Sequence, residues 1–89
     1  MITKTVKLTN EDGLHARSAA LFVRMANRFS SEITLQAHGD SVNGKSIIGI
    51  MSLGAFYGEE ISITASGTDE EKAVESLVEL VENNFVVAN

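Results

Sequence analysis

From Glu60 to Ser66 the chain alternates without a break, with Ile61, Ile63 and Ala65 on one side and Ser62, Thr64 and Ser66 on the other. Successive side chains of a strand point to opposite faces, so this segment reads as a strand with one buried and one solvated face. Ile33, Leu35 and Ala37 repeat the pattern against Glu32, Thr34 and Gln36, and Ile2 to Thr9 is rich in β-branched residues. Both fit strands of the same sheet. His38-Gly39-Asp40 is a turn signal that sends the chain back through Ser41 to Asn43 as a short hairpin partner.

Elsewhere the period changes to that of a helix. Residues 16–28 place Ala19, Phe22, Val23 and Ala26 on one stripe, as a helix packed on a sheet requires. Near the carboxyl end Val74, Leu77, Val78, Val81 and Phe85 form a second stripe, and the spacing of Thr68 and Glu71 predicts a capping box at its start. Ser46 to Leu53 predicts a short third helix, with Ser46 as N-cap and Gly54 as its stop; Gly54 to Gly58 is then a loop. The order β-α-β-β-α-β-α gives an α+β fold, a four-stranded antiparallel sheet with helices on one face.

Size limits what such a fold can hold. The 89 residues make one small domain spanning the whole chain, with little room for a deep cleft. A composition of 44% hydrophobic and 21% charged residues supports a packed core and argues against a disordered chain. Cysteine is absent, so no disulfide or thiolate metal site is available and a reducing compartment, the cytoplasm, is the expectation. Met1 to Leu8 carries Lys4 and Lys7 and no long apolar run, so neither a signal peptide nor membrane insertion is expected.

A formal charge of −5 disfavours nucleic-acid binding, which calls for a basic surface. Its distribution is uneven. Four of the seven basic residues, Arg17, Arg24, Arg28 and Lys45, lie between positions 17 and 45, and Glu70, Glu71, Glu75, Glu79 and Glu82 crowd the carboxyl end, which predicts a positive and a negative side.

The chemically telling stretch is Gly13-Leu14-His15-Ala16-Arg17-Ser18, where a loop enters the first helix. First-turn N–H groups lack intrahelical acceptors and the helix dipole favours an anion there, so phosphate can be held beside His15 without a metal or other cofactor. Arg17 adds donors matched to phosphate oxygens, with Ala16 and Ser18 as neighbours of the site. A neutral imidazole can attack phosphorus and later leave, which suits transfer rather than hydrolysis. A histidine at a helix start is more commonly a cap or surface residue, so the pattern alone is suggestive. The other histidine, His38, sits in a predicted turn with no Cys or Glu-x-x-His partner, so a metal site is not expected.

Gly13-Leu14-His15-Ala16-Arg17, followed by Val42-Asn43-Gly44-Lys45-Ser46-Ile47-Ile48-Gly49-Ile50-Met51-Ser52-Leu53-Gly54, resembles the two signature segments of the HPr family, the histidine-containing phosphocarriers of the bacterial sugar phosphotransferase system. The similarity of element order runs over essentially the whole chain. It implies an open-faced β-sandwich, four antiparallel strands with three helices on one side. It implies further that His15 accepts a phosphoryl group on Nδ1 from enzyme I and passes it to enzyme II A-domains, with Arg17 steadying the phosphoryl oxygens. Ser46 matches the serine that HPr kinase/phosphorylase modifies in Gram-positive relatives, giving a corepressor for catabolite control protein. The apolar run Ile47-Ile48-Gly49-Ile50-Met51 looks more like that branch than the enteric one.

On a helical wheel Arg17, Arg24 and Arg28 cluster opposite the buried stripe, with Ala20 and Leu21 beside them. With Lys45, Ile47, Ile48 and Met51 they make an arginine-rimmed apolar spot for partner docking, where charge speeds encounter. The plainer alternative is a solvated helix face. Ser18 departs from the family, which usually has proline there; serine restores an N–H and adds a hydroxyl near the phosphate site. Two other readings compete: an HPr-like regulatory paralogue acting in catabolite repression through Ser46, and a ferredoxin-like small-molecule-binding module. The retained His15 argues against the first, because the resemblance implies loss of that histidine in regulatory relatives. The second finds no convergent polar cluster away from residues 13–18. A monomer is expected.

Overall fold

The alternating segment forms β4 (Glu60–Ser66), and Ile61, Ile63 and Ala65 are fully buried beneath it. A computed structural model describes residues 1–86. Before β4 come β1 (Ile2–Lys7), α1 (Ala16–Ala26), β2 (Glu32–Ala37), β3 (Asp40–Asn43) and α2 (Ile47–Leu53); α3 (Glu70–Glu82) follows it. The strand order is β1-β4-β2-β3 and every pairing is antiparallel, so β4 is bonded on both edges.

Register carries the sequence alternation across the sheet. Val6 lies opposite Ile61, and Ile33 and Leu35 lie opposite Ala65 and Ile63. On the other face Thr3 meets Thr64 and Thr5 meets Ser62, with hydroxyl oxygens 2.8 and 3.1 Å apart. Such cross-strand hydroxyl pairs suit a face left to water. The helices cover the opposite face: α3 packs on β1 and β4, while α1 lies against α2 and α3. Ala19, Phe22, Val23 and Ala26 of α1 are buried as their spacing requires, together with Ala73, Val74, Leu77, Leu80 and Val81 of α3.

Three local expectations need correction. The predicted capping box of Thr68 and Glu71 does not form: α3 starts at Glu70, its N-cap is Asp69, and no side chain caps it. The Asp69 carboxylate turns away to accept from the Ser30 and Ser31 N–H groups at 2.9 and 3.0 Å and from the Ser31 hydroxyl. Arg28 lies outside α1, which closes at Ala26 with Asn27 as C-cap. Phe85 is buried, but beyond α3: Asn84 and Phe85 take left-handed φ of 56° and 62°, and the Phe85 N–H returns to the Leu80 carbonyl at 2.9 Å. That bond is the closure expected where a helix ends in a left-handed turn.

Asp69 therefore staples the α1–β2 connection to the β4–α3 turn. The Ser31 hydroxyl first, then the Ser30 N–H, holds its carboxyl down from 3.8 to about 2. A depressed carboxylate contributes stability that is present above its ordinary value and lost as pH falls through the folded one. Asp69→Asn should lower the thermal unfolding midpoint at neutral pH, and the gap to wild type should close as pH falls from about 4 towards 2. Calorimetry across that range checks this; a gap that stays constant with pH would show that the charge of Asp69 contributes nothing.

Candidate functional site

The loop that delivers His15 is pinned before it reaches the surface. Asn10 Nδ2 donates to the Gly13 carbonyl at 2.7 Å, and the Gly13 N–H donates to the Asn10 carbonyl at 3.1 Å. Gly13 has φ +60°, and a Cβ there would meet the Ala55 carbonyl oxygen and Phe56 Cα, both at 2.7 Å. Only glycine allows that close approach. The next residue, Leu14, is buried and donates its N–H to the Ala55 carbonyl at 3.0 Å. One residue later the chain is at the surface.

His15 is the N-cap of α1, in an extended conformation, with its side chain 40% exposed. The Arg17 N–H donates to Nδ1 at 3.3 Å, so Nδ1 holds its lone pair towards the amino end of the helix. Nε2 lies 4.0 Å from an Asp12 carboxylate oxygen. Arg17 is exposed and has no ion pair among the described residues. The site thus combines an unprotonated ring nitrogen, a helix amino terminus and a free guanidinium. These are what a transferable phosphoryl group needs for attack and charge balance.

Ser18 lies next to His15, with its hydroxyl turned inward. It is only 2% exposed, so its hydroxyl does not face the surface where a phosphoryl group would sit. Instead Oγ accepts from the His15 N–H at 2.9 Å and donates to the Gly13 carbonyl at 2.9 Å. Ala16 is exposed beside His15. A cleft of about 560 Å³ runs from His15, Arg17 and Leu21 to Asn10, Asp12 and Phe85. Among the described residues no three His, Asp or Glu side chains gather as a metal ion would require.

The residues expected to dock partners divide into two groups. Arg24 is exposed on α1, Ala20 and Leu21 are half-buried, and Ile47, Ile48 and Met51 of the adjoining α2 are 42, 81 and 44% exposed. Arg28 is exposed in the turn past α1. Lys45 is not a free cation: its ammonium donates to the Phe29 carbonyl at 2.7 Å and closes the turn after α1. Ser46 caps α2 as predicted, accepting from the Gly49 N–H at 3.0 Å, and Gly54 ends the helix at φ +66°. The outer side of α3 presents Glu71, Glu75, Glu79 and Glu82.

Sequence reasoning missed Asn10, Asp12, Phe56 and Tyr57. The first two lie in a polar run ending in Gly13, an ordinary turn signal that says nothing of what it turns towards. Phe56 and Tyr57 are 65 and 64% exposed in the loop against which Gly13 packs. Two aromatics between Gly54 and Gly58 were the available signal. His38 is an exposed turn residue at φ 56°, and its Nε2 lies 2.9 Å from Glu59.

Residues 2–83 match the family described as the PTS HPr component phosphorylation site. The HPr-like protein Crh of Halalkalibacterium halodurans is 46% identical over 82 residues, covering 92% of this chain and 98% of the relative. The phosphocarrier protein HPr of Treponema pallidum is 42% identical over 85 residues, covering 96% and 97%. Among solved structures, HPr from Thermoanaerobacter tengcongensis superposes with a TM-score of 0.93 at 46% identity and full coverage of both chains. The expected monomer finds no support in such neighbours, since the same organism's HPr is also solved as a dimer, with a TM-score of 0.77 at 47% identity and coverage of 98% and 100%. The ferredoxin-like alternative gives way to the fold and the family together. With four antiparallel strands under three helices and both signature segments matched, the chain belongs to the HPr family of phosphotransferase-system phosphocarrier proteins.

Proposed function

We propose that the chain carries a phosphoryl group on Nδ1 of His15, taking it from enzyme I and giving it to enzyme II A-domains during sugar uptake. The observation that supports this most directly is the direction of the Nδ1 lone pair, held by the Arg17 N–H at the amino end of α1. In the first transfer Nδ1 attacks phosphorus, the donor's bond to phosphorus breaks, and that electron pair stays on the donor. In the second transfer an acceptor attacks the same phosphorus and the pair returns to Nδ1. Between the two, N–H groups of the first helical turn and the Arg17 guanidinium balance the phosphoryl charge. Both transfers are displacements at phosphorus, with the imidazole as nucleophile in the first and leaving group in the second.

Partners would dock on the arginine-rimmed apolar surface. Arg17 and Arg24 are exposed on α1, and Ile47, Ile48 and Met51 are exposed on α2, which lies against it; a cationic rim with an apolar centre fits a transient interface. Among the described residues no helix is long and apolar enough to cross a membrane. We place the reaction in the cytoplasm.

The second reading, a regulatory relative acting in catabolite repression through Ser46, is favoured by the 46% identity to the HPr-like protein Crh. The two readings are compatible on one chain. Phosphate on Ser46 would add negative charge next to Lys45 and the docking surface, and HPr kinase/phosphorylase and catabolite control protein would then be further partners.

Labelling separates the readings. With phosphoenolpyruvate and enzyme I the chain should take up acid-labile phosphate, lost completely in His15→Ala and slowed about 10- to 100-fold in Arg17→Ala. With ATP and HPr kinase it should take up acid-stable phosphate, lost in Ser46→Ala. Absence of acid-labile label on the wild type overturns the carrier reading, and absence of acid-stable label overturns the regulatory one.

A further inference from the structure

We infer that Ser18 is a positioning residue: its buried hydroxyl fixes the backbone of His15 so that Nδ1 faces the amino end of α1. The consequence for transfer rests on the phosphocarrier reading; the effect on the ring does not.

The hydroxyl is committed entirely to the corner that presents His15. It accepts from the His15 N–H at 2.9 Å, donates to the Gly13 carbonyl at 2.9 Å, and lies 3.2 Å from the His15 carbonyl. Its one proton goes to the shorter contact, with Gly13, and its lone pair holds His15. Between those two anchors sits Leu14, whose N–H is bonded to Ala55. Three successive residues, 13, 14 and 15, are thus each tied by a backbone group. At 2% exposure the hydroxyl is shielded from bulk water, and removing it would take away the side-chain acceptor of the His15 N–H, while the Gly13 carbonyl would keep Asn10 Nδ2.

Fixing the His15 N–H fixes the torsion beside it, and with it the direction from which the side chain leaves. His15 is held at φ −130° and ψ −173°, the conformation that brings Nδ1 to 3.3 Å from the Arg17 N–H. That contact is long, so the ring depends on the backbone for its aim more than on the bond itself. A proline at position 18 could fix its own φ but has no hydroxyl to accept from His15. Serine reaches the same end by a hydrogen bond. Precision at this level matters because a reacting atom displaced by a fraction of an ångström loses much of the advantage of being held.

Ser18→Ala, Ser18→Thr and Ser18→Pro test the assignment through three measurements: long-range proton–nitrogen correlation of the His15 ring, single-turnover transfer from phosphorylated enzyme I, and thermal unfolding. Ser18→Ala should give a mixture of ring tautomers and a maximal transfer rate about tenfold lower, with the half-saturating concentration changed less than about twofold. Ser18→Thr, which keeps the hydroxyl, should restore both; where its methyl prevents folding, Ser18→Ala decides alone. A Ser18→Ala protein with the wild-type ring spectrum and maximal rate overturns the inference even if its unfolding midpoint falls, because Ser18 is then a cap and nothing more. A Ser18→Pro rate orders of magnitude above wild type overturns it as well, showing that serine hinders the site. If the wild type takes no label at all, the carrier reading fails while the ring spectra still decide what Ser18 does.

Discussion

Everything in this fold leans on the two-edged pairing of β4. Because β1 bonds one edge and β2 the other, Ile61, Ile63 and Ala65 form the floor of the core, and the helices have one face to cover. The reverse face is finished with hydroxyls that pair among themselves, so burying it against a second layer would yield little. Covering only one side keeps a chain of this size within its means, since few apolar residues are needed to close the core. It also decides where chemistry can occur: at the ends of the helices, where orphan backbone groups meet water.

The strands and helix stripes were legible because each depends on a period that the residues display. The cap by Ser46 and the stop at Gly54 were legible for the same local reason: a hydroxyl and a left-handed residue act on their own helix. What could not be read depends on partners distant in sequence. Thr68 and Glu71 have the spacing of a capping box, but Asp69 is drawn across to Ser30 and Ser31, 39 and 38 positions away, and the helix starts without a side-chain cap. Lys45 has the charge of a docking residue and is drawn to Phe29. Phe85 keeps its place in the apolar stripe although the helix stops before it, since burial selects the side chain and not the backbone that carries it.

The candidate site was half legible in the same sense. His15 and Arg17 follow from a motif, and their relation to the helix start follows from the period of α1. The role of Ser18 does not, because a serine in a first helical turn reads equally well as a surface hydroxyl. Only its burial beneath the Gly13–His15 corner separates the two. Asp12 and Asn10 were hidden for a similar reason: a polar turn shows that the chain bends, not what it bends around.

The corner that holds His15 is built almost wholly from groups that do not titrate: peptide N–H and carbonyl groups, a hydroxyl and a side-chain amide. The one strongly perturbed carboxylate, Asp69, bonds Ser30 and Ser31 beside the end of the sheet where Glu32 pairs with Ser66, while Leu14 reaches the loop before the other end of β4. The molecule thus separates its acid-sensitive fastening from its histidine by the length of a strand. The peptide groups, the hydroxyl and the amide at this corner keep their hydrogen-bonding capacity across the acid range in which the Asp69 carboxylate becomes protonated. Acid therefore loosens the molecule first at the far end of the sheet, where Asp69 ties two connections together, and leaves the bonds around His15 in place.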